Sequence, residues 1–178
     1  MAIIQVDEIM QKDPAKARLA HDEKYQEGIT FVNGNYCAPA DAVIPLFEAG
    51  FVHCDVVYEK ATLSKGRLFR LQDHIDRFAY SCEKFRLRNP YTTEEMLEIF
   101  NRLIRLSGFR QAGLFWCVTR GLLTAASDRN KPDKSECRFY ASVNPYSSIA
   151  TPEQRNRGLD LMISEQYIRI PAKAVDPK

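Results

Sequence analysis

Two hydrophobic periods run along the chain, and each marks a kind of element. Ile29-Thr30-Phe31-Val32 and Asn35-Tyr36-Cys37 flank Asn33-Gly34. Asn-Gly suits the positive φ angles of a tight turn, so the segment predicts a β-hairpin. Residues 51–63 are rich in β-branched and aromatic side chains and read as a strand, which Lys65-Gly66 turns back into Arg67-Leu68-Phe69-Arg70. The period then changes. Ile75, Phe78, Cys82 and Phe85 recur at spacings of three and four behind Asp73, a good N-cap, and predict a helix ending before Asn89-Pro90. Thr92 and Glu95 form a capping box for a second helix, with Met96, Leu97, Phe100, Leu103 and Ile104 on its apolar face and Gly108 at its end. Residues 114–119 and 138–143 read as strands separated by a polar stretch. After Gly158, the alternation of Leu159, Leu161 and Ile163 predicts one more strand.

This order sets the organisation. Residues 1–28 are polar, interrupted by Asp13-Pro14, and read as an N-terminal arm. Residues 29–143 form a small α+β domain, since strands followed by consecutive helices argue against a doubly wound α/β sheet. Residues 144–149 read as a linker, and 150–178 as the start of a second domain.

Composition narrows the function classes. The 178 residues carry a formal net charge of +2, without the concentrated basic excess typical of a nucleic-acid binder. No apolar stretch approaches the length of a membrane span, and the N-terminus reaches acidic residues before any cation, unlike a signal peptide. The expectation is a soluble, cytoplasmic protein. Cys37, Cys54, Cys82, Cys117 and Cys137 are odd in number and widely spaced, which for most of them suits small buried hydrophobes better than a zinc site or a disulfide framework. No Gly-rich phosphate loop occurs.

Three segments could carry chemistry. Arg77 sits at the rim of the apolar stripe that His74, Phe78 and Phe85 share on a helical wheel. A cation there needs an anion: a bidentate phosphate or carboxylate, or a structural ion pair with a nearby acid, which is the commoner case. In an extended strand His53, Asp55, Val57 and Glu59 face one way and Cys54, Val56, Tyr58 and Lys60 the other. That pattern fits a polar cleft, or more commonly an edge strand with solvated side chains. Around Phe115 and Trp116, core packing is the default and a pocket wall the alternative.

Taken together, the segments resemble a known family. Gly66-Arg67-Leu68-Phe69-Arg70-Leu71-Gln72-Asp73-His74-Ile75-Asp76-Arg77-Phe78 resembles the G-x-x-F-R-L-x-D-H-x-x-R-[LF] signature of fold-type IV pyridoxal-phosphate enzymes. These include branched-chain and D-amino-acid aminotransferases, aminodeoxychorismate lyases and (R)-selective amine transaminases. Val118-Thr119-Arg120-Gly121 matches a second shared element, and Ile170-Pro171 with Ala174-Val175-Asp176-Pro177-Lys178 a third, which in the (R)-amine branch runs P-x-x-A-[IV]-D-P-x-x-K.

The resemblance implies a pyridoxal 5'-phosphate enzyme that transfers an amino group between a primary amine, (R)-configured or a D-amino acid, and a keto acid such as pyruvate. It makes Arg77 the holder of the cofactor phosphate and places His53 and Tyr58 near cofactor and substrate, Tyr58 helping to seat the phosphate or shape the pocket. Lys60 and Phe115 join the substrate pocket. The family lysine that forms a Schiff base with the cofactor falls at position 180 by register, two beyond Lys178, and Lys173 fits it less well. The chain thus resembles the N-terminal domain and the first strand of the cofactor domain. The D-amino-acid enzymes resemble one another in an Arg and a His where this chain has Ala125 and Ser127. Branched-chain enzymes show G-x-F-E-G where it has Asp55-Val56-Val57-Tyr58-Glu59. These differences argue against both of those branches, while the His53 to Tyr58 pattern and the C-terminal spacing resemble the (R)-amine branch. The carboxylate-clamping Arg of that branch is Ala126 here, so Arg129 or Lys60 is the expected substitute. The resemblance also implies a homodimer with its site at the subunit and domain interface. An aminodeoxychorismate-lyase-like reaction and a non-catalytic truncated homologue are the alternatives.

Overall fold

The structure, a computed structural model, describes residues 23–123, 136–146 and 149–165. The expected N-terminal arm up to residue 22, Arg129 with its neighbours, and the motif at 170–178 lie outside the described residues. The chain divides after Pro145 into two units.

In the first unit, two-residue turns set the sheet. Asn33 and Gly34 take φ 51 and 80, and Lys65 and Gly66 take φ 51 and 78, the left-handed backbone that matches the twist of paired strands. The first turn joins β1 (Ile29–Val32) to β2 (Asn35–Cys37), and the second joins β3 (Val56–Ser64) to the short β4 (Arg67–Leu68). With β5 (Ala112–Thr119) and β6 (Arg138–Pro145) the strands form an antiparallel sheet in the order β2-β1-β6-β5-β3-β4. β6 runs two residues past the expected domain boundary.

A short helix, α1 (Ala49–Val52), precedes β3. Two long helices, α2 (Leu71–Phe85) and α3 (Thr93–Ser107), cover one face of the sheet. The core lies between them: Trp116 is fully buried, with ring centroids 4.9 Å from Phe100, 6.0 Å from Phe78 and 6.4 Å from His74. This is an α+β fold, as the element order predicts. Trp116 is core, not pocket wall.

Three local expectations change. The strand predicted over 51–63 starts only at Val56: Ala49–Val52 is helical, and Cys54 turns at φ 55. The first long helix begins at Leu71, two residues before Asp73, because Arg70 takes a left-handed conformation and caps it. Asp73 lies in the first turn and pairs with Arg70, where its charge also suits the positive end of the helix. In the second unit, α4 (Pro152–Arg157) opens with a Thr151–Gln154 capping box. Leu159, Leu161 and Ile163 form no strand there, and the last two are 87% exposed. Alternation marks a strand only where another strand supplies hydrogen bonds, and none does so among the described residues.

Candidate functional site

The alternation of β3 puts Val57, Glu59, Ala61 and Leu63 on the helix-covered face. Three of these are apolar; the fourth is a carboxyl only 3% exposed, which requires compensation. The helix above supplies it. His74 and Arg77, one turn apart on α2, both reach down to Glu59. Arg77 donates from Nε to Oε1 at 2.6 Å and from Nη2 to Oε2 at 2.8 Å, and His74 Nδ1 lies 2.9 Å from Oε2. Burial by itself would raise the Glu59 carboxyl. The hydrogen bonds from Arg77 and His74, with their charge, outweigh it and hold the group below the ordinary glutamate range. In turn, Glu59 raises Arg77 further above its ordinary value.

The pair uses one edge of the guanidinium. Nη1 has no hydrogen-bond partner among the described residues, and the Arg77 side chain is 53% exposed. Fixed on one side and open on the other, the guanidinium keeps N–H donors directed away from Glu59, the geometry a bound anion would need. The structural ion pair and the anion site, posed as alternatives from the sequence, are compatible with a single arginine.

Tyr58 and Lys60 lie on the opposite face of β3. Lys60 pairs across the sheet with Phe115, and Tyr58 stacks at 5.8 Å from the Phe115 ring. Tyr58 is half-exposed. Lys60 lies across Gly113, where a Cβ would come within 2.7 Å of its Cε. These three pocket candidates therefore form one cluster, separated from Arg77 by the thickness of the strand. Tyr58 and Lys60 share a strand with one open side. β5 pairs with β3 from Val56 to Leu63, whereas β4 reaches only Leu63 and Ser64. Among the described residues no strand flanks β3 on its other side from Val56 to Ala61.

His53 departs from the strand reading. It caps α1, donating its backbone N–H to Ala49 O at 3.0 Å, and is exposed. It does not share a β3 face with Val57 and Glu59, because the left-handed turn at Cys54 breaks the alternation. The bend is braced from a distance. Arg120 pairs with Asp55 through Nε at 2.9 Å and Nη2 at 3.2 Å. It also donates to the carbonyls of Phe85 at 2.9 Å and Arg86 at 2.8 Å, at the end of α2. The Thr-Arg-Gly element thus ties the start of β3 to a helix C-terminus and satisfies carbonyls left without intrahelical donors. Gly121, at φ 87, has no alternative, since a Cβ there would lie 1.9 Å from Glu136 O.

Sequence reasoning singled out Arg77 but not its partner Glu59, although the signal was present: one acid among apolar residues on an alternating strand needs a nearby cation. Arg120 carried no such local signal, because its four contacts lie 34 to 65 residues away in sequence.

Comparison with known proteins bears on this geometry. The family model described as Amino-transferase class IV matches residues 56–177. A D-alanine aminotransferase of Staphylococcus epidermidis is 33% identical over 91 residues, covering 51% of this chain and 32% of the relative. Among solved structures, the branched-chain amino acid aminotransferase of Escherichia coli superposes with a TM-score of 0.63 at 17% identity, covering 70% of this chain and 42% of that one. A T.th. branched-chain amino acid aminotransferase with pyridoxamine 5'-phosphate gives 0.62 at 20% identity, covering 72% and 43%. The chain therefore spans about a third of the curated relative and under half of the solved chains. No described helix is long and apolar enough to cross a membrane.

Proposed function

Because the chain belongs to the class IV amino-transferases, we propose that it forms the small domain of a pyridoxal-phosphate-dependent aminotransferase. Its reaction moves an amino group between a primary amine and a keto acid. One observation carries the reading. Arg77 is gripped along one edge by the buried Glu59 and open along the other, an arrangement suited to a phosphate dianion. The residues present fit the phosphate end of the cofactor. Arg77 holds it by charge and paired N–H groups, while Glu59 and His74 fix the direction of those N–H groups.

When bound, the cofactor ring supplies an electron sink for the bond broken at the substrate carbon. On the face of β3 opposite Arg77, the chain's own residues shape the substrate side. Tyr58 and Phe115 provide an aromatic surface across β3 and β5, and Lys60 places a cation beside them for the carboxylate of a keto acid. His53, exposed beyond the α1 cap, borders the same strand entry. Within the family, the (R)-amine branch is the proposed assignment, with pyruvate as acceptor. It rests on the Asp55-Val56-Val57-Tyr58-Glu59 segment in place of G-x-F-E-G. Assembly as a homodimer is proposed with it.

The test uses the full-length protein carrying this chain. Added pyridoxal phosphate should give a visible absorbance band that survives desalting, and Arg77→Ala should abolish its retention. The loaded enzyme should consume an (R)-amine only when pyruvate is present. No retained band overturns the cofactor assignment, and turnover without an acceptor would assign a lyase instead.

A further inference from the structure

Besides Glu59, one other carboxyl among the described residues is buried: Glu48, at 1% exposure, on the face of the sheet away from α2 and α3. The chemistry proposed above does not use it. Its Oε1 accepts from Thr119 Oγ1 at 2.5 Å and its Oε2 from the Tyr140 hydroxyl at 3.1 Å, with Arg138 Nε 4.0 Å from Oε2. Thr119 Oγ1 in turn accepts from the Gly121 N–H at 3.2 Å. Burial and the nearby Glu48 push the Tyr140 phenol up to about 12, so it remains a donor at neutral pH. The carboxyl thus gathers hydroxyls from the ends of two strands 71 and 92 residues away.

The backbone around it is equally committed. Ala49 donates to Gly121 O at 2.9 Å and Leu123 to Phe47 O at 2.9 Å, and Glu48 bridges Leu122. Gly50 packs so closely that a Cβ would lie 2.6 Å from Thr119 Cγ2. Nothing in the packing requires an acid at this place, since an aliphatic side chain of similar volume would fill it without desolvating a carboxyl. What the acid adds is direction: it accepts from fixed hydroxyls at a fixed distance, which an aliphatic side chain does not.

We propose that Glu48 is a positioning residue. Through Thr119 and Tyr140 it sets the 47–53 segment, and with it His53 and the entry of β3 toward Tyr58, against the end of β5. The inference rests on the proposed function for its effect on substrate, and on geometry alone for its effect on the segment. The pocket wall at Tyr58 and His53 then depends on a contact far from the reacting atoms, while Arg77 and Glu59, on the other face of the sheet, do not.

The experiment compares Glu48→Leu, Glu48→Gln and Thr119→Val in the full-length holoenzyme. Thr119→Val keeps the methyl group against Gly50 and replaces the hydroxyl that faces Glu48 by a methyl that cannot donate. Expected for Glu48→Leu and Thr119→Val is a rise of about tenfold in KM for the amine, with the affinity for pyridoxal phosphate unchanged. Glu48→Gln, which keeps one acceptor oxygen, should restore most of the loss. In parallel, amide hydrogen exchange of a peptide covering 47–53 should accelerate while that of a peptide within α2 stays at its wild-type rate. Wild-type exchange at 47–53 in both Glu48→Leu and Thr119→Val overturns the proposal. So does a loss of cofactor affinity and of α2 protection in step with KM, which marks a general structural role. Should the wild-type protein fail to transaminate, the exchange result still decides the anchoring, and only the reading of function falls.

Discussion

Replacing Glu59 by Gln tests whether the clamp on Arg77 is a built feature or a surface ion pair. The change keeps the shape of the side chain. It removes the charge and turns one acceptor oxygen into an amide that faces the donors of Arg77 and His74. In the native protein three hydrogen bonds from Arg77 and His74, between 2.6 and 2.9 Å, converge on a carboxylate that is 3% exposed. A hydrogen bond to a charged group contributes about 1.5–3 kcal/mol, and at least one is lost while another becomes donor against donor. Because the Arg77 side chain is half-exposed and rehydrates, the net loss is discounted to about 2 kcal/mol. For a chain of this length that lowers Tm by roughly 4–8 °C, measurable by circular dichroism at pH 7. The pH dependence adds a sign. The folded-state Glu59 carboxyl is held below its unfolded value. Its contribution is therefore complete above the unfolded pKa and disappears as pH falls through the lower folded one. The Tm gap between native protein and Glu59→Gln should accordingly be full at neutral pH and narrow below the ordinary glutamate range. Equal melting at pH 7, or a gap that widens in acid, would refute the reasoning.

Further outcomes follow from single contacts. Arg120→Ala removes the cap on the Phe85 and Arg86 carbonyls and the pair with Asp55, and should cost about 2–4 kcal/mol in urea denaturation; a loss below about 1 kcal/mol would contradict the brace. Gly121→Ala combines a positive φ with a backbone collision and should destabilise by at least about 2 kcal/mol, read by the same denaturation. Thr92→Ala deletes half of the capping box at α3, for about 1 kcal/mol of stability. Burial first of all pushes the Cys82 and Cys117 thiols up to about 12. Iodoacetamide at pH 8 should therefore spare both and label the exposed Cys54, a pattern that mass spectrometry of the peptides would reverse if Cys117 reacted first.

The parts of the fold legible in the sequence were those whose causes lie within a few residues. Asn33-Gly34 fixes its own hairpin, and Thr92 with Glu95 satisfies its own helix start; both elements stand where the pattern placed them. Where the cause was distant, the pattern misled. Residues 51–55 have strand composition, yet Glu48 and Arg120 fold them into a helical turn and a bend through Thr119 and Asp55. The alternating residues after Gly158 lack any partner strand among those described. The site divided similarly. The rim position of Arg77 was visible from helical spacing, and with it the need for an anion. The identity of that anion within the fold, Glu59, required knowing that α2 crosses β3. That Tyr58 and Arg77 lie on opposite faces of the strand was implicit in the alternation once Glu59 was seen to point inward.

The edge of β3 that no described strand covers has a consequence for solubility. Such an edge is an invitation to another chain, and runaway addition of strands is how sheets aggregate. Here the exposed stretch carries an inward-pointing acid at Glu59 and a lysine at Lys60. An incoming strand would have to settle beside the Lys60 ammonium. The Lys60 charge on this stretch thus works against strand addition. Variants that neutralise it should show turbidity at concentrations where the native chain stays clear.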